Sequence, residues 1–162
     1  MKKTNAGFSL IELIIVVAIL AIAVGLIAPQ LLKYVEKTNV SSDMQLADTV
    51  RSAVTYAVVD VEVLSDQASH PYLDLMNSNT GMNIDNNSSF SSSDCVLKES
   101  LETSFGFPVS DIISQLRSAH GSDTHCNVKT INNHVIVTFT STDRTGLKDT
   151  ANNTPGNDIF VD

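Results

Sequence analysis

Basic residues and cysteines are both scarce in this sequence of 162 residues. Ten Lys and Arg stand against 18 Asp and Glu, which gives a formal net charge of −8 at pH 7. A nucleic-acid-binding protein needs a basic stripe that neutralises phosphates, so this balance argues against that class. Two cysteines are too few for a disulfide-rich scaffold or a four-cysteine zinc site, although they can form one bridge.

Charged residues make up only 17% of the chain, whereas hydrophobic residues make up 43% and are unevenly distributed. Residues 13–28 contain no charged or strongly polar side chain, whereas residues 66–94 are mostly Ser, Asn and Asp. The length suffices for one domain with a modest appendage. The composition therefore predicts one membrane segment joined to one polar domain.

The N-terminal residues indicate which kind of hydrophobic segment this is. The apolar core of a secretory signal peptide ends at a small-residue cleavage site, but here the apolar run continues straight into a further helical pattern. Residues 8–28 number 21, close to the roughly 20 that a helix needs to span a bilayer. Lys2 and Lys3 precede this span and favour an N-terminus in the cytoplasm.

One acidic residue, Glu12, interrupts the apolar segment. A carboxylate at mid-span costs about 2.5–3.5 kcal/mol on insertion scales, so Glu12 needs a compensating environment. One interpretation places it near the cytoplasmic interface, where its carboxylate reaches water. The other gives it a positive partner, because cleavage between Gly7 and Phe8 would create an α-amine four residues, or one helical turn, from Glu12.

The segment GFSLIELIIV, residues 7–16, resembles the cleavage and methylation signature of type IV prepilins and the related pseudopilins. The resemblance implies that a prepilin peptidase removes residues 1–7 on the cytoplasmic side and cuts after Gly7. It also implies that the same enzyme N-methylates Phe8, the new N-terminus, and that Glu12 is the family's assembly glutamate.

The resemblance implies a structural subunit of a type IV pilus or pilus-like filament, assembled with other pilin subunits through its hydrophobic N-terminal helix. Its partners would be the prepilin peptidase and methylase, the pilus assembly machinery and, before assembly, the membrane. The chain would be a single-pass membrane protein with a cytoplasmic N-terminus, and later part of a cell-surface filament. A pseudopilin of type II secretion or competence and a minor or adhesive pilin at the filament tip remain alternatives.

A long helix is predicted to continue beyond the apolar segment. Gly25 lowers helix propensity and Pro29 lacks an N–H, so a kink or local melting is expected there, and Pro29 lies at the family's helix-kinking position. Apolar residues then recur at spacings of three and four. The predicted buried stripe is Val40, Met44, Ala47, Val50, Val54, Ala57, Val58, Val61 and Leu64, and the predicted polar face is Asp43, Asp48, Arg51 and Thr55.

The remainder of the chain is predicted to form a small head. Residues 66–94 have turn chemistry throughout and are interpreted as a long exposed loop, with one short packed segment around Tyr72, Leu73, Leu75 and Met76. Helices are expected over residues 98–105 and 110–120. A β-hairpin with a turn at Asn132 and Asn133 is expected over residues 126–142, and a last strand is expected over residues 159–161.

These elements define the predicted architecture. The fold class is α+β, with a long N-terminal α-helix, membrane-spanning in its first half and amphipathic in its second, packed on a small antiparallel β-sheet head. The predicted division is a leader peptide over residues 1–7, a transmembrane assembly helix over 8–29 and a globular head over 30–162.

Candidate metal-binding and catalytic side chains are few. His125 and Cys126 are the pair that suggests a zinc site, but adjacent strand residues point to opposite faces. The other candidate ligands are His70, His120, His134 and Cys95. No catalytic constellation is present, so we predict no enzyme, cofactor or metal. The C-terminal residues 143–162 are rich in oxygen ligands and major pseudopilins carry a calcium loop there, but the spacing is not that of an EF-hand, which favours a solvated loop.

The two cysteines, Cys95 and Cys126, both lie outside the predicted membrane segment. Many type IV pilins close their C-terminal region with one disulfide, so the resemblance favours a bridge between them. Such a bridge would stabilise the head by about 3–4 kcal/mol on the chain-entropy model. Two reduced, buried thiols are the alternative.

Overall fold

A computed structural model describes residues 9–85, 88–118, 122–132, 134–140 and 159–161. The chain divides into two compact units, Met1–Lys37 and Thr38–Asp162. The predicted α+β class is confirmed, since a long N-terminal helix is followed by short helices and a small antiparallel sheet. The leader, residues 1–7, lies outside the described residues, so the division into leader, span and head stays a prediction.

Helix α1 comprises Leu10–Ala57 and contains Pro29. The sequence predicted helix as far as Leu64, but the chain turns at residues 58–60 and restarts as α2, Val61–Ser65. The reason is a new N-cap: Asp60 has extended backbone and its carboxylate accepts the Glu62 N–H at 2.9 Å. An acceptor at this position satisfies the first free N–H groups of a helix and so favours a fresh start.

The amphipathic pattern of α1 is confirmed over its last turns. Ala47, Val50, Val54 and Ala57 are buried as predicted, together with Ala53, which the stripe did not include. The prediction was wrong for Met44, Val61 and Leu64, which are 47%, 77% and 50% exposed, and for Asp43, which was assigned to the polar face but is buried. Val61 and Leu64 are exposed because the turn after α1 changes the direction of α2. Asp43 is buried because its carboxylate has hydrogen-bond partners inside the head.

Residues 66–94 contain more structure than the predicted loop. The packed segment is helix α3, His70–Met76, in which Met76 is buried, while strand β1 comprises Met82–Asn83. Ile84, Asp85 and Phe90 are fully buried, so an exposed loop over the whole region was wrong. The two buried apolar residues, Ile84 and Phe90, are widely spaced in a Ser- and Asn-rich stretch. They therefore show neither helical nor strand periodicity, and the sequence pattern could not reveal their burial.

Helix α4, Val96–Phe105, is confirmed, and Gly106 ends it with a left-handed φ of 77°. The helix expected over residues 110–120 was wrong: Val109–Asp111 and Ile113–Gln115 form two short 3₁₀ turns, and Leu116 is extended. The described part of that region ends at residue 118, so His120 lies outside it. After Leu116, the backbone N–H groups of Arg117 and Ser118 donate to the Asp43 carboxylate. This carboxylate takes the place of the backbone carbonyl acceptors that a helix would supply.

The sheet contains strands β1, β2 (His125–Ile131), β3 (His134–Thr140) and β4 (Ile159–Val161), in that order and all antiparallel. The predicted hairpin is confirmed, and Asn132 has the positive φ, 51°, that its tight turn requires. Alternate residues of the hairpin strands face the core, as period-two alternation predicts. These buried residues are Cys126, Val128, Val135, Val137 and Phe139.

Candidate functional site

The apolar first part of α1 is exposed along its whole length within the unit Met1–Lys37. Its large hydrophobic side chains from Leu10 to Val35 are each between 50% and 76% exposed. This helix is long and apolar enough to cross a membrane by length and composition, and none of its most apolar 18-residue window is buried. A continuous apolar surface of this size needs a lipid or protein partner.

Glu12 lies in the first turn of α1. Its Oε2 accepts the backbone N–H of Ser9 at 3.0 Å, which is one half of a capping box. A carboxylate at this end of a helix also interacts favourably with the helix dipole. The sequence reasoning missed this bond, although the S-x-x-E spacing of Ser9 and Glu12 would have indicated it. Gly7 and Phe8 lie outside the described residues, so cleavage, methylation and an amine partner for Glu12 stay predictions.

Gly25 and Pro29 are both inside α1, and the chain is helical through both. The local melting that was one expectation is therefore absent from this described part of the helix. A Cβ added at Gly25 would meet no heavy atom within 4 Å, so the glycine is not required by packing in the subunit. A kink at these two residues stays a prediction.

Both cysteines are free thiols in this structure, and both are buried. Cys95 is the N-cap residue of α4 and its Sγ lies 3.5 Å from the Ser93 hydroxyl, whereas Cys126 lies in β2. Burial, together with the nearby negative charge of Asp85, raises the pKa of the Cys126 thiol well above its ordinary value of 9.0. The disulfide is not formed here and stays a prediction about the exported, oxidised protein.

Three polar anchors organise the head, and the sequence reasoning identified none of them. The first is Asp43, whose carboxylate accepts the Arg117 N–H at 2.8 Å and the Ser118 N–H at 2.9 Å, as well as the Ser118 hydroxyl. The second is Asp85, fully buried, which accepts the Cys126 N–H at 2.9 Å and lies 3.1 Å from Nδ1 of His125.

The third anchor is Asp66, which connects α3 to the start of α4. Its carboxylate accepts the Ser69 hydroxyl at 2.6 Å and the Val96 N–H at 3.0 Å, and the Ser69 hydroxyl oxygen accepts the Leu97 N–H at 3.0 Å. These donors, the Ser69 hydroxyl foremost, lower the pKa of Asp66 below its ordinary value. Single Asp residues in polar stretches carry no periodic signal, which explains why they were not predicted.

No group of three or more His, Cys, Asp or Glu in the described part of the chain is arranged to hold a metal ion. His125, considered for a zinc site, is paired with Asp85. The oxygen-rich segment considered for calcium lies outside the described residues, apart from the backbone of residues 159–161. The feature with functional content is therefore the exposed apolar helix with Glu12 in its first turn.

Comparison with known proteins bears on this helix. The family model for the prokaryotic N-terminal methylation motif matches residues 2–28. Type IV major fimbrial proteins FimA from Dichelobacter nodosus are 40% and 38% identical to this chain over 60 residues. The match covers 37% of this chain and 38% of each relative, well under half of either. No solved structure is significantly similar to the chain. The resemblance to type IV pilins is confirmed, with its motif at the N-terminus.

Proposed function

We propose that this protein is a structural subunit of a type IV pilus or pilus-like filament. The observation that carries the proposal is the first part of α1, an exposed apolar helix with one carboxylate, Glu12, in its first turn and with the methylation motif over residues 2–28. A plain membrane anchor uses that carboxylate only as a helix cap, whereas a helix that moves from lipid into a helix bundle can also pair it with a cation.

The subunit first resides in the membrane through α1, with the head on the exported side. Lys2 and Lys3 hold the N-terminus in the cytoplasm, where a prepilin peptidase cuts between Gly7 and Phe8 and methylates the new amine. During assembly α1 leaves the lipid and packs against like helices of other subunits. Apolar contact is then exchanged rather than lost, because lipid tails and helix side chains are similarly apolar.

Glu12 is the residue whose environment changes most in this transfer. In the single subunit its carboxylate accepts the Ser9 N–H at the helix end, close to the membrane interface. Inside a bundle a lone carboxylate is costly, so a cation has to accompany it. The cation we propose is the amine of Phe8 from a neighbouring subunit. Cleavage creates this charged group one helical turn from Glu12, so the two groups meet when neighbouring helices pack side by side.

The head is suited to the outside of a fibre. Residues 38–162 carry 16 acidic side chains against six basic ones, a net charge of −10. Charge of one sign keeps surfaces soluble and apart. The relatives that match 60 residues of this chain are called major fimbrial proteins, which favours a main filament subunit over a tip pilin or a pseudopilin. We propose no enzymatic activity.

The test is assembly in a cell that provides a prepilin peptidase and a pilus assembly machine. Intact-mass measurement of membrane protein should show loss of residues 1–7 and gain of one methyl group. Glu12→Ala should then be inserted and processed normally, but filament incorporation should fall at least about tenfold. Glu36→Ala, the matched removal of the other acidic residue of the N-terminal unit, should assemble normally.

Two outcomes contradict the proposal. Retention of residues 1–7 in the native membrane would overturn the pilin assignment. Equal incorporation of Glu12→Ala and the parent would show that the carboxylate does not act in assembly. Surface filaments that contain this protein as their main component would favour the pilin over the pseudopilin.

A further inference from the structure

The helical segment immediately after the apolar span has a basic and aromatic face. Gln30, Lys33, Tyr34 and Lys37 follow one another at spacings of three, one and three, so they share one face of α1 within an arc of about 100°. Together they line a shallow recess of about 220 Å³. All four are exposed, Tyr34 by 67%.

The opposite face of the same two turns is apolar. Leu31, Leu32 and Val35 are 57%, 72% and 50% exposed, and their arc is centred roughly opposite the basic face. On a spanning helix both faces of these turns lie at the same depth. At the membrane–water boundary, basic and aromatic side chains extend to the headgroups, while the apolar side chains of the other face contact the outermost part of the acyl chains.

The position along the helix agrees with that boundary. From Leu10 to Ile27 the helix rises about 26 Å at 1.5 Å per residue, close to the roughly 30 Å of a hydrocarbon core. The basic face therefore begins where the core ends, and long lysine side chains extend toward the headgroups from such positions.

We propose that Gln30, Lys33, Tyr34 and Lys37 form a binding site for the headgroup phosphate of anionic lipids in the leaflet next to the head. Two ammonium groups one turn apart supply charge and donors, and the Tyr34 hydroxyl and the Gln30 amide supply further hydrogen bonds. The site holds the unassembled subunit at a fixed depth, so the inference rests on the membrane-resident stage of the proposed function.

Charge explains why two lysines are placed here. The unit Thr38–Asp162 has a net charge of −10 and is repelled by an anionic leaflet. Residues 30–37 carry Lys33 and Lys37 against Glu36, a net charge of +1, and so provide local attraction at the level of the phosphates. Anionic lipid is favoured over a free anion, because the exposed apolar side chains of Leu31, Leu32 and Val35 on the same turns gain contact with a lipid but not with a free anion.

The test uses the full-length protein in vesicles of phosphatidylcholine and phosphatidylglycerol. The chain has no Trp, so Val35→Trp on the apolar face provides a single fluorescence donor and leaves the four site residues intact. Energy transfer is compared between the two lipids, each bearing the same acyl-chain acceptor. Transfer to phosphatidylglycerol should exceed transfer to phosphatidylcholine by about threefold or more.

Substitution of both lysines, Lys33→Gln with Lys37→Gln, should bring this ratio to about one. The matched control, Arg117→Gln with Lys129→Gln, changes the net charge by the same amount at two side chains of the head and should keep the ratio. Inorganic phosphate should lower the ratio no more than chloride at equal ionic strength, because the ligand is the lipid.

Three results would overturn the proposal: a ratio of one in the parent, a ratio unchanged by the lysine substitutions, or specific competition by inorganic phosphate. Carbonate-resistant flotation with the vesicles separates this proposal from the proposed function. Inserted protein without lipid preference overturns the lipid site alone, whereas failure to insert contradicts the membrane stage of both.

Discussion

Asp43 and Ser118 are 75 residues apart in sequence and are joined by two hydrogen bonds inside the head. The carboxylate of Asp43 accepts both the N–H and the hydroxyl of Ser118, and both residues are almost fully buried. The same carboxylate accepts the Arg117 N–H. One side chain of α1 thus replaces the backbone acceptors that the chain after the 3₁₀ turns would otherwise lack.

Asp43→Asn should therefore destabilise the head. The amide retains one acceptor oxygen but presents an NH₂ group to N–H donors, and a buried donor without an acceptor costs about 1–3 kcal/mol. Urea unfolding of the full chain in mild detergent should show this loss in the free energy of unfolding. Asp48→Asn, on the exposed side of the same helix, removes only a surface ion pair with Arg51 and should cost less than about 0.5 kcal/mol. Equal losses would contradict the anchor.

Asp66 should give the head an acid-sensitive part of its stability. Its pKa is lowered in the folded protein, mainly by the Ser69 hydroxyl, so the folded state binds its proton less readily than the unfolded chain. The stabilisation is present above the ordinary pKa of 3.8 and is lost as pH falls through the lower folded value. Asp66→Asn should lower the free energy of unfolding at pH 7, and the difference from the parent should shrink below pH 4.

The matched control for that experiment is Asp74→Asn in α3, where the carboxylate is on an exposed residue. It should leave the acid profile of unfolding unchanged. A difference between parent and Asp66→Asn that stays constant from pH 7 to pH 2 would show that charge on Asp66 does not carry the effect.

Cys126 should make the reduced protein less stable in alkali. Its thiol pKa is raised by burial in the folded state, so only the unfolded chain ionises near pH 9.0. The stabilisation is full below that pH and is lost as pH rises toward the folded pKa. Urea unfolding from pH 7 to pH 10.5 should show this decline in the parent and in Cys95→Ala, and a smaller one in Cys126→Ala. Identical declines in the parent and both variants would contradict the assignment of the alkaline loss of stability to Cys126.

The disulfide between Cys95 and Cys126 is tested on protein from the exported side of the membrane. Oxidation is permitted there, and Cys95 precedes α4 while Cys126 begins the buried face of β2, so a bridge would fasten two separate parts of the head. The non-reduced mass should lie two hydrogen atoms below the reduced mass, because each thiol loses one hydrogen when the S–S bond forms. Alkylation of both thiols after denaturation without reductant would rule the bridge out.

The predictable parts of the fold are those with regular periodicity. The apolar run and the three-and-four spacing predicted α1, and strict alternation around Asn132 predicted the β2–β3 hairpin. Glu12 was identifiable by its place in the N-terminal motif and by being the one carboxylate in an apolar run. In each case many residues repeat the same signal, so the pattern does not depend on a single side chain.

The predictions that were wrong concern residues whose positions depend on single long-range hydrogen bonds or contacts. Asp43 was assigned to a polar face because Asp is normally exposed, and its partners Arg117 and Ser118 are far away in sequence. The same bonds hold Arg117 and Ser118 outside the helix that was expected over residues 110–120. Likewise, Asp85 and Phe90 are buried in a stretch whose composition predicts a loop. One chain without periodicity cannot reveal which polar residue will acquire a buried partner.

The turn of α1 that contains the two helix breakers, Gly25 and Pro29, should matter for assembly and not for the folding of the subunit. A methyl group at residue 25 meets no atom within 4 Å, so Gly25→Ala fits without strain and raises helix propensity by about 1 kcal/mol. Adding Pro29→Ala restores the N–H that can bond to the Gly25 carbonyl. Amide exchange over residues 25–33 in detergent should slow in the double variant, with the head equally stable.

If the helix has to bend or stretch there to enter the bundle, the same double variant should be processed normally and yet incorporated into filaments less efficiently. Val24→Ala is the control, because it raises helix propensity in the same turn but removes neither helix breaker. Slower exchange with unimpaired incorporation would show that the turn is weak without being used. Impaired incorporation of the double variant alone would locate the required deformation between Gly25 and Pro29, since every contact that the head makes is unchanged.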